Sequence, residues 1–100
     1  LNRTATRYII RFLEMAKQNN IHVDCFTSPM YYKRNLDYYK PARDFLDSLF
    51  QANSVKYIDY ERTPPLDPRI RDPHFWEDSE HLNGNGAAIF SRQVAEDFGY

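Results

Sequence analysis

Ile21-His22-Val23-Asp24-Cys25-Phe26-Thr27, closed by Ser28-Pro29, is the stretch on which the fold class turns. Ile21, Val23 and Cys25 alternate with His22, Asp24 and Phe26, which is the period of a strand. Upstream, residues 2–19 carry Tyr8, Ile9, Phe12, Leu13 and Ala16 on one stripe at helical spacing. Met15 falls at the edge of that stripe, and Arg7, Arg11, Lys17 and Gln18 fall mostly off it. Asn19-Asn20 supply a stop, because asparagine tolerates the left-handed conformation. A helix that feeds a strand two residues later is the αβ half of a βαβ unit. The strand is short, and its alternation suits an edge or near-edge place in the sheet. Ligands bind beyond the C-terminal ends of such strands, so residues 27–32 are a candidate wall of a site, with Ser28 as a candidate substrate contact.

The same order repeats downstream. A second helix is expected over residues 35–52, burying Leu36, Tyr39, Phe45, Leu46, Leu49 and Phe50. Pro41 is expected in the first turn of its main part, after a short preceding turn. Val55 to Tyr60 reads as a second strand. A stiff loop follows, Thr63-Pro64-Pro65-Leu66-Asp67-Pro68, prolonged by Pro73. The stretch 61–75 is long for a simple connection and so is expected to be functional. A last helix runs from about Gly84 to Phe98, with Ala87, Phe90, Val94 and Phe98 on one side and Asn83 as its N-cap. The order α-β-α-β-loop-α is that of the C-terminal part of a doubly wound three-layer α/β/α (flavodoxin-like) sandwich. Two strands are few for such a sheet. The chain, which opens on Leu1 rather than Met, is therefore expected to be a single partial α/β domain with further strands upstream. An exposed sheet edge left by missing strands would favour a homodimer by pairing or swapping.

Composition sets bounds on partners. Apolar residues make up 42% and aromatics 16%, enough for a packed core and too many for a disordered chain. Thirteen basic side chains against fourteen acidic ones give a net charge of −1, so no basic field points to nucleic acid or to an anionic membrane surface. Cys25 is alone, which excludes an internal disulfide and a cysteine-based metal cluster. No apolar run approaches the ~20 residues of a membrane span, and a signal peptide or membrane anchor, if the parent protein has one, is expected upstream of Leu1.

The chemistry concentrates in Phe75-Trp76-Glu77-Asp78-Ser79-Glu80-His81-Leu82-Asn83-Gly84-Asn85-Gly86-Ala87-Ala88-Ile89-Phe90-Ser91. Asp78 and His81 are three apart, so in one tight turn the carboxylate reaches the imidazole. A carboxylate on one ring nitrogen fixes the tautomer and leaves the other nitrogen free to act as a base. Asn83 is either a substrate contact or the cap of the last helix, and Gly86 is placed for close helix packing. His74, Asp78 and His81 have a spacing that would suit zinc on a helix, but the segment reads as loop, so no metal is expected. The segment Tyr31-Tyr32-Lys33-Arg34 with Tyr38-Tyr39-Lys40 interleaves aromatic and basic residues. It is too short, in a chain of the wrong charge, for a nucleic-acid site, and helix-face packing is the preferred reading.

Asp-x-x-His-Leu-Asn-x-x-Gly-Ala-x-x-Phe-Ser, carried by Asp78, His81, Leu82, Asn83, Gly86, Ala87, Phe90 and Ser91, resembles the C-terminal signature of the SGNH (GDSL-like) hydrolases and acyltransferases, in particular bacterial cell-envelope members. The resemblance implies a Ser-His-Asp triad in which His81 is the general base and Asp78 orients it. It implies an ester or acylated carbohydrate-type substrate, no cofactor, and a place in the bacterial envelope or periplasm, with the cytoplasm as the alternative. None of Ser28, Ser48, Ser54, Ser79 and Ser91 stands in a Gly-Asp-Ser or Gly-x-Ser-x-Gly context. The nucleophile is thus expected upstream of this chain, and the chain alone is expected to be inactive. The alternative is a non-catalytic α/β module that binds a carbohydrate or a protein through residues 31–39 and the proline-rich loop.

Overall fold

The computed structural model describes residues 2–31, 39–62 and 65–100. It is a mixed α/β structure: α1 (Arg3–Gln18), β1 (Asp24–Thr27), α2 (Lys40–Ala52), β2 (Lys56–Asp59), two 3-10 helices (Pro68–Arg71 and Pro73–Phe75) and α3 (Gly84–Asp97). β1 and β2 pair in a two-stranded parallel sheet. The chain divides into two compact units, Leu1–Cys25 with Asp37–Tyr57 and Phe26–Leu36 with Ile58–Tyr100. The expected helix start at 35–38 and the aromatic-basic residues 32–38 lie outside the described residues, as do Thr63 and Pro64.

In the first unit, Asn2 caps α1 by accepting the Ala5 N–H at 2.7 Å. The helix stops where Asn20 takes a positive φ of 55°. The Ile21 N–H then reaches back to the Ala16 carbonyl at 2.9 Å and Asn20 N–H to Lys17 at 3.3 Å, a Schellman motif. The other two α-helices end this way as well: Ser54 takes the left-handed position after α2 and Gly99 after α3. This ending shortens the expected strands. Ile21 and Val55 spend their N–H groups on the caps, so β1 begins only at Asp24 and β2 only at Lys56. Ile21 is left 60% exposed.

The buried side of α1 is narrower than its stripe. Leu13 and Ala16 are buried and Ile9 is half-buried, but Tyr8 and Phe12 are 64% and 56% exposed. The sequence period marks a broad arc, and only the part of it that meets a neighbour is covered. In α2, Pro41 falls in the first turn, where its missing N–H costs nothing. Phe50 is buried and stacks obliquely on Tyr57 at 4.8 Å between centroids.

The second unit has its core in Tyr60, Ile70 and Phe90, with Ile58, Leu66, Phe75, Leu82, Ile89 and Val94 packed against it. Tyr60 and Phe90 meet edge to face at 4.9 Å, and Phe26 meets both in the same manner. The Tyr60 hydroxyl donates to Asp97 Oδ2 at 2.8 Å, and burial with this partner pushes the phenol up. Gly86, Ile89, Phe90 and Val94 form the inner side of α3, whereas Ala87, expected on that side, is exposed. Its position is one residue beyond the row that meets the core.

The long connection after β2 is not structureless. Each of its 3-10 helices opens on an Asp-Pro pair, in which proline fixes φ and the aspartate caps the turn. Ile70, at 1% exposure, anchors the first into the core. Gln93 of α3 holds the loop by accepting the Asp67 N–H at 3.0 Å and donating to the Pro65 carbonyl at 3.1 Å. Among the described residues, no helix is long and apolar enough to cross a membrane.

Candidate functional site

Asp78 and His81 sit in a short reverse turn whose base is an isolated antiparallel bridge between Trp76 and Leu82. The Glu77 N–H donates to the His81 carbonyl at 2.8 Å and closes the loop. Inside it, Asp78 Oδ1 accepts the backbone N–H groups of Glu80 and His81, both at 2.8 Å. That is an Asx turn, in which the carboxylate replaces a backbone acceptor. The same carboxylate then faces the ring: His81 Nδ1 lies 2.8 Å from Oδ1 and 3.0 Å from Oδ2.

Electrostatics fix the tautomer. An ionised carboxylate can only accept, so Nδ1 carries the proton and Nε2 of the neutral ring carries the lone pair. Nε2 has no hydrogen-bond partner among the described residues. The hydrogen bond to Asp78, and then its charge, hold His81 above the ordinary imidazole value. The Glu80 N–H, followed by His81 itself, holds Asp78 below the ordinary carboxyl value. Both side chains are in water, His81 70% and Asp78 59% exposed, so solvent screens the pair.

Three features hold the turn in place. Asn83 has all four polar groups engaged: N–H to the Phe75 carbonyl (3.0 Å), Nδ2 to the His74 carbonyl (2.6 Å), Oδ1 from Gly86 N–H (2.9 Å) and its carbonyl from Ala87 N–H (2.8 Å). It therefore caps α3 and locks the base of the turn. Gly86 lies against the Phe75 carbonyl so closely that a Cβ would stand 2.2 Å from that oxygen. Trp76 Nε1 donates to the Ile70 carbonyl at 2.6 Å and ties the turn to the 3-10 segment.

The loop after β1 does approach this turn, through Tyr31 rather than Ser28. The Tyr31 N–H donates to the Ser79 carbonyl at 3.0 Å, and its ring lies 5.7 Å from that of Trp76. Ser28 is exposed and, among the described residues, makes no hydrogen bond to Asp78 or His81. No described serine hydroxyl bonds to the His81 ring. Cys25 is half-buried in β1, and burial pushes its thiol up, with Asp24 adding to the effect.

A second pair of the same chemistry stands nearby in sequence. Asp72 Oδ1 accepts the His74 N–H at 2.9 Å and faces His74 Nδ1 at 2.7 Å. Asp67 treats Arg69 likewise, and the guanidinium at 2.8 Å draws the Asp67 carboxyl down to about 2. The repeated signal is Asp-Pro followed by a basic residue, in Asp67-Pro68-Arg69 and Asp72-Pro73-His74. With His74 turned to Asp72 and His81 to Asp78, no group of three His, Cys, Asp or Glu side chains among the described residues is placed to hold a metal ion. No family model, curated protein or solved structure matches the chain.

Proposed function

We propose that Asp78 and His81 are the orienting acid and the general base of an SGNH-like esterase or O-acyltransferase. On this reading the chain is the C-terminal part of a flavodoxin-like α/β/α sandwich, and the nucleophilic serine lies outside it. The observation that carries the reading is the contact of His81 Nδ1 with both Asp78 oxygens at 2.8 and 3.0 Å, with Nε2 turned to water. In that state Nε2 takes a proton from a serine hydroxyl as it attacks an acyl carbon, and Asp78 stabilises the imidazolium that forms. Nε2 then returns the proton to the leaving oxygen. The substrate is an ester or an acylated carbohydrate, and the setting is the bacterial envelope.

The test uses a longer natural chain that adds a Gly-Asp-Ser segment to these residues. Hydrolysis of p-nitrophenyl acetate should fall by about 10³-fold or more in His81→Ala. An unchanged rate in that variant, with wild-type activity present, would sink the reading. Asp72/His74 supports a second reading, a non-catalytic module binding a carbohydrate or protein partner, because it shows the same pair arising from turn geometry alone.

A further inference from the structure

The net charge of −1 hides a strong segregation. α1 holds Arg3, Arg7, Arg11 and Lys17 against a single Glu14, a net of +3, which leaves −4 for the rest of the chain. None of these four cations has an ion-pair or hydrogen-bond partner among the described residues. Elsewhere Lys40 pairs with Asp44, Arg62 with Asp59 and Arg69 with Asp67, whereas Arg71 and Arg92 stand singly, outside any row of cations. Arg3, Arg7 and Arg11 recur every four residues and so form one row along the helix. Beside that row, Tyr8, Phe12 and Met15 form a second one, each more than half exposed, and Ile21, past the helix end, is 60% exposed.

We propose that this face of α1 seats on an anionic lipid bilayer. A helix with basic residues on one side and aromatic or aliphatic ones beside them lies in the plane of a membrane interface, rings among the acyl chains and guanidinium groups at the headgroup phosphates. A second copy of the chain does not fit. Of the exposed large apolar side chains among the described residues, only Phe26, Tyr31 and Tyr100 lie outside 8–21, too few and too scattered to cover the row. Packing α1 on α1 would oppose two charges of +3. Nucleic acid would satisfy the arginines but leave the rings against a charged backbone. The inference stands apart from the Asp78/His81 reading, since it uses none of its residues.

Co-sedimentation of the chain with vesicles of phosphatidylcholine, alone or mixed with phosphatidylglycerol, decides it. Binding is expected only to the mixed vesicles and should weaken as salt rises. Arg7→Gln with Arg11→Gln should weaken it roughly thirtyfold, the effect of two lost surface charges. Tyr8→Ser with Phe12→Ser should also weaken it while keeping the salt dependence. These positions are exposed, and an unchanged urea midpoint shows that the fold is intact. Equal binding to both vesicle types, no binding to either, tighter binding to duplex DNA, or a dimer that forms through α1 in place of vesicle binding would each overturn the proposal.

Discussion

Asp72/His74 and Asp78/His81 are built from the same parts and held by different means. In both, one carboxylate oxygen accepts the backbone N–H of its histidine and also faces Nδ1, at 2.7 Å in the first and 2.8 Å in the second. The first needs only two residues of separation and a proline between them, with a 3-10 turn to set the angle. The second spans a loop whose base is closed by Trp76, Leu82 and Asn83 and braced by Gly86. The first is therefore a product of local chain geometry. The second depends on tertiary packing, and its orientation is fixed relative to α3 and the core. That anchoring, rather than the carboxylate-imidazole contact itself, distinguishes a pair able to serve a reaction from a capped turn.

The comparison can be broken most forcibly at Gly86. Alanine there puts a Cβ 2.2 Å from a backbone carbonyl, which no rotamer change relieves. Either α3 or residue 75 must shift, and overpacking of this kind costs about 3 kcal/mol. Urea unfolding of Gly86→Ala should show that loss, and the Asp78/His81 contact should open while the Asp72/His74 contact persists. A variant as stable as wild type would show that the turn is not braced by the helix. A smaller effect is expected at Asn83. Asn83→Ala removes the cap of α3 and the donor to the His74 carbonyl, a loss of about 2 kcal/mol in the same measurement. Asn83→Asp should recover most of it, since the cap oxygen remains. Equal losses in both variants would place the energy in the Nδ2 contact instead.

Much of this architecture was legible in the residues. The helix periods, Pro41 in the first turn of α2 and Asn83 as the cap of α3 all rest on local rules, and the structure has them. The reach of Asp78 to His81 was legible in their three-residue spacing, although the packing that holds the turn was not. What escaped was set by neighbours more distant in the chain. The exposure of Tyr8 and Phe12 depends on what α1 faces, which its own period does not encode. The late starts of β1 and β2 depend on helix caps that claim the N–H groups of Ile21 and Val55. The Asp72/His74 pair was visible in principle as Asp-Pro followed by a basic residue, a pattern that appears twice. Tyr31, not Ser28, meets the turn because a backbone N–H there finds the Ser79 carbonyl, a long-range pairing with no sequence mark.

The smallest expected effect is the sharpest test of the two pairs. In Asp78→Asn the imidazole loses its charged partner, so the His81 pKa should fall toward the ordinary value of about 6.5, read from its ring proton shifts against pH. Asp72→Asn should leave His81 where it is. The sign for stability follows from the folded-state shifts. His81 is raised on folding, so its contribution is complete below the unfolded imidazole pKa and is lost as pH rises through the folded one. Asp78 is lowered, so its contribution is present above the unfolded carboxyl pKa and is lost as pH falls through the folded one. The pair thus stabilises most between the two, in the mildly acidic range. Asp78→Asn should flatten that dependence, although the exposure of both side chains keeps the change small. If Asp72→Asn moved His81 as far as Asp78→Asn does, the two pairs would be one coupled network, and the distinction drawn between them would fail.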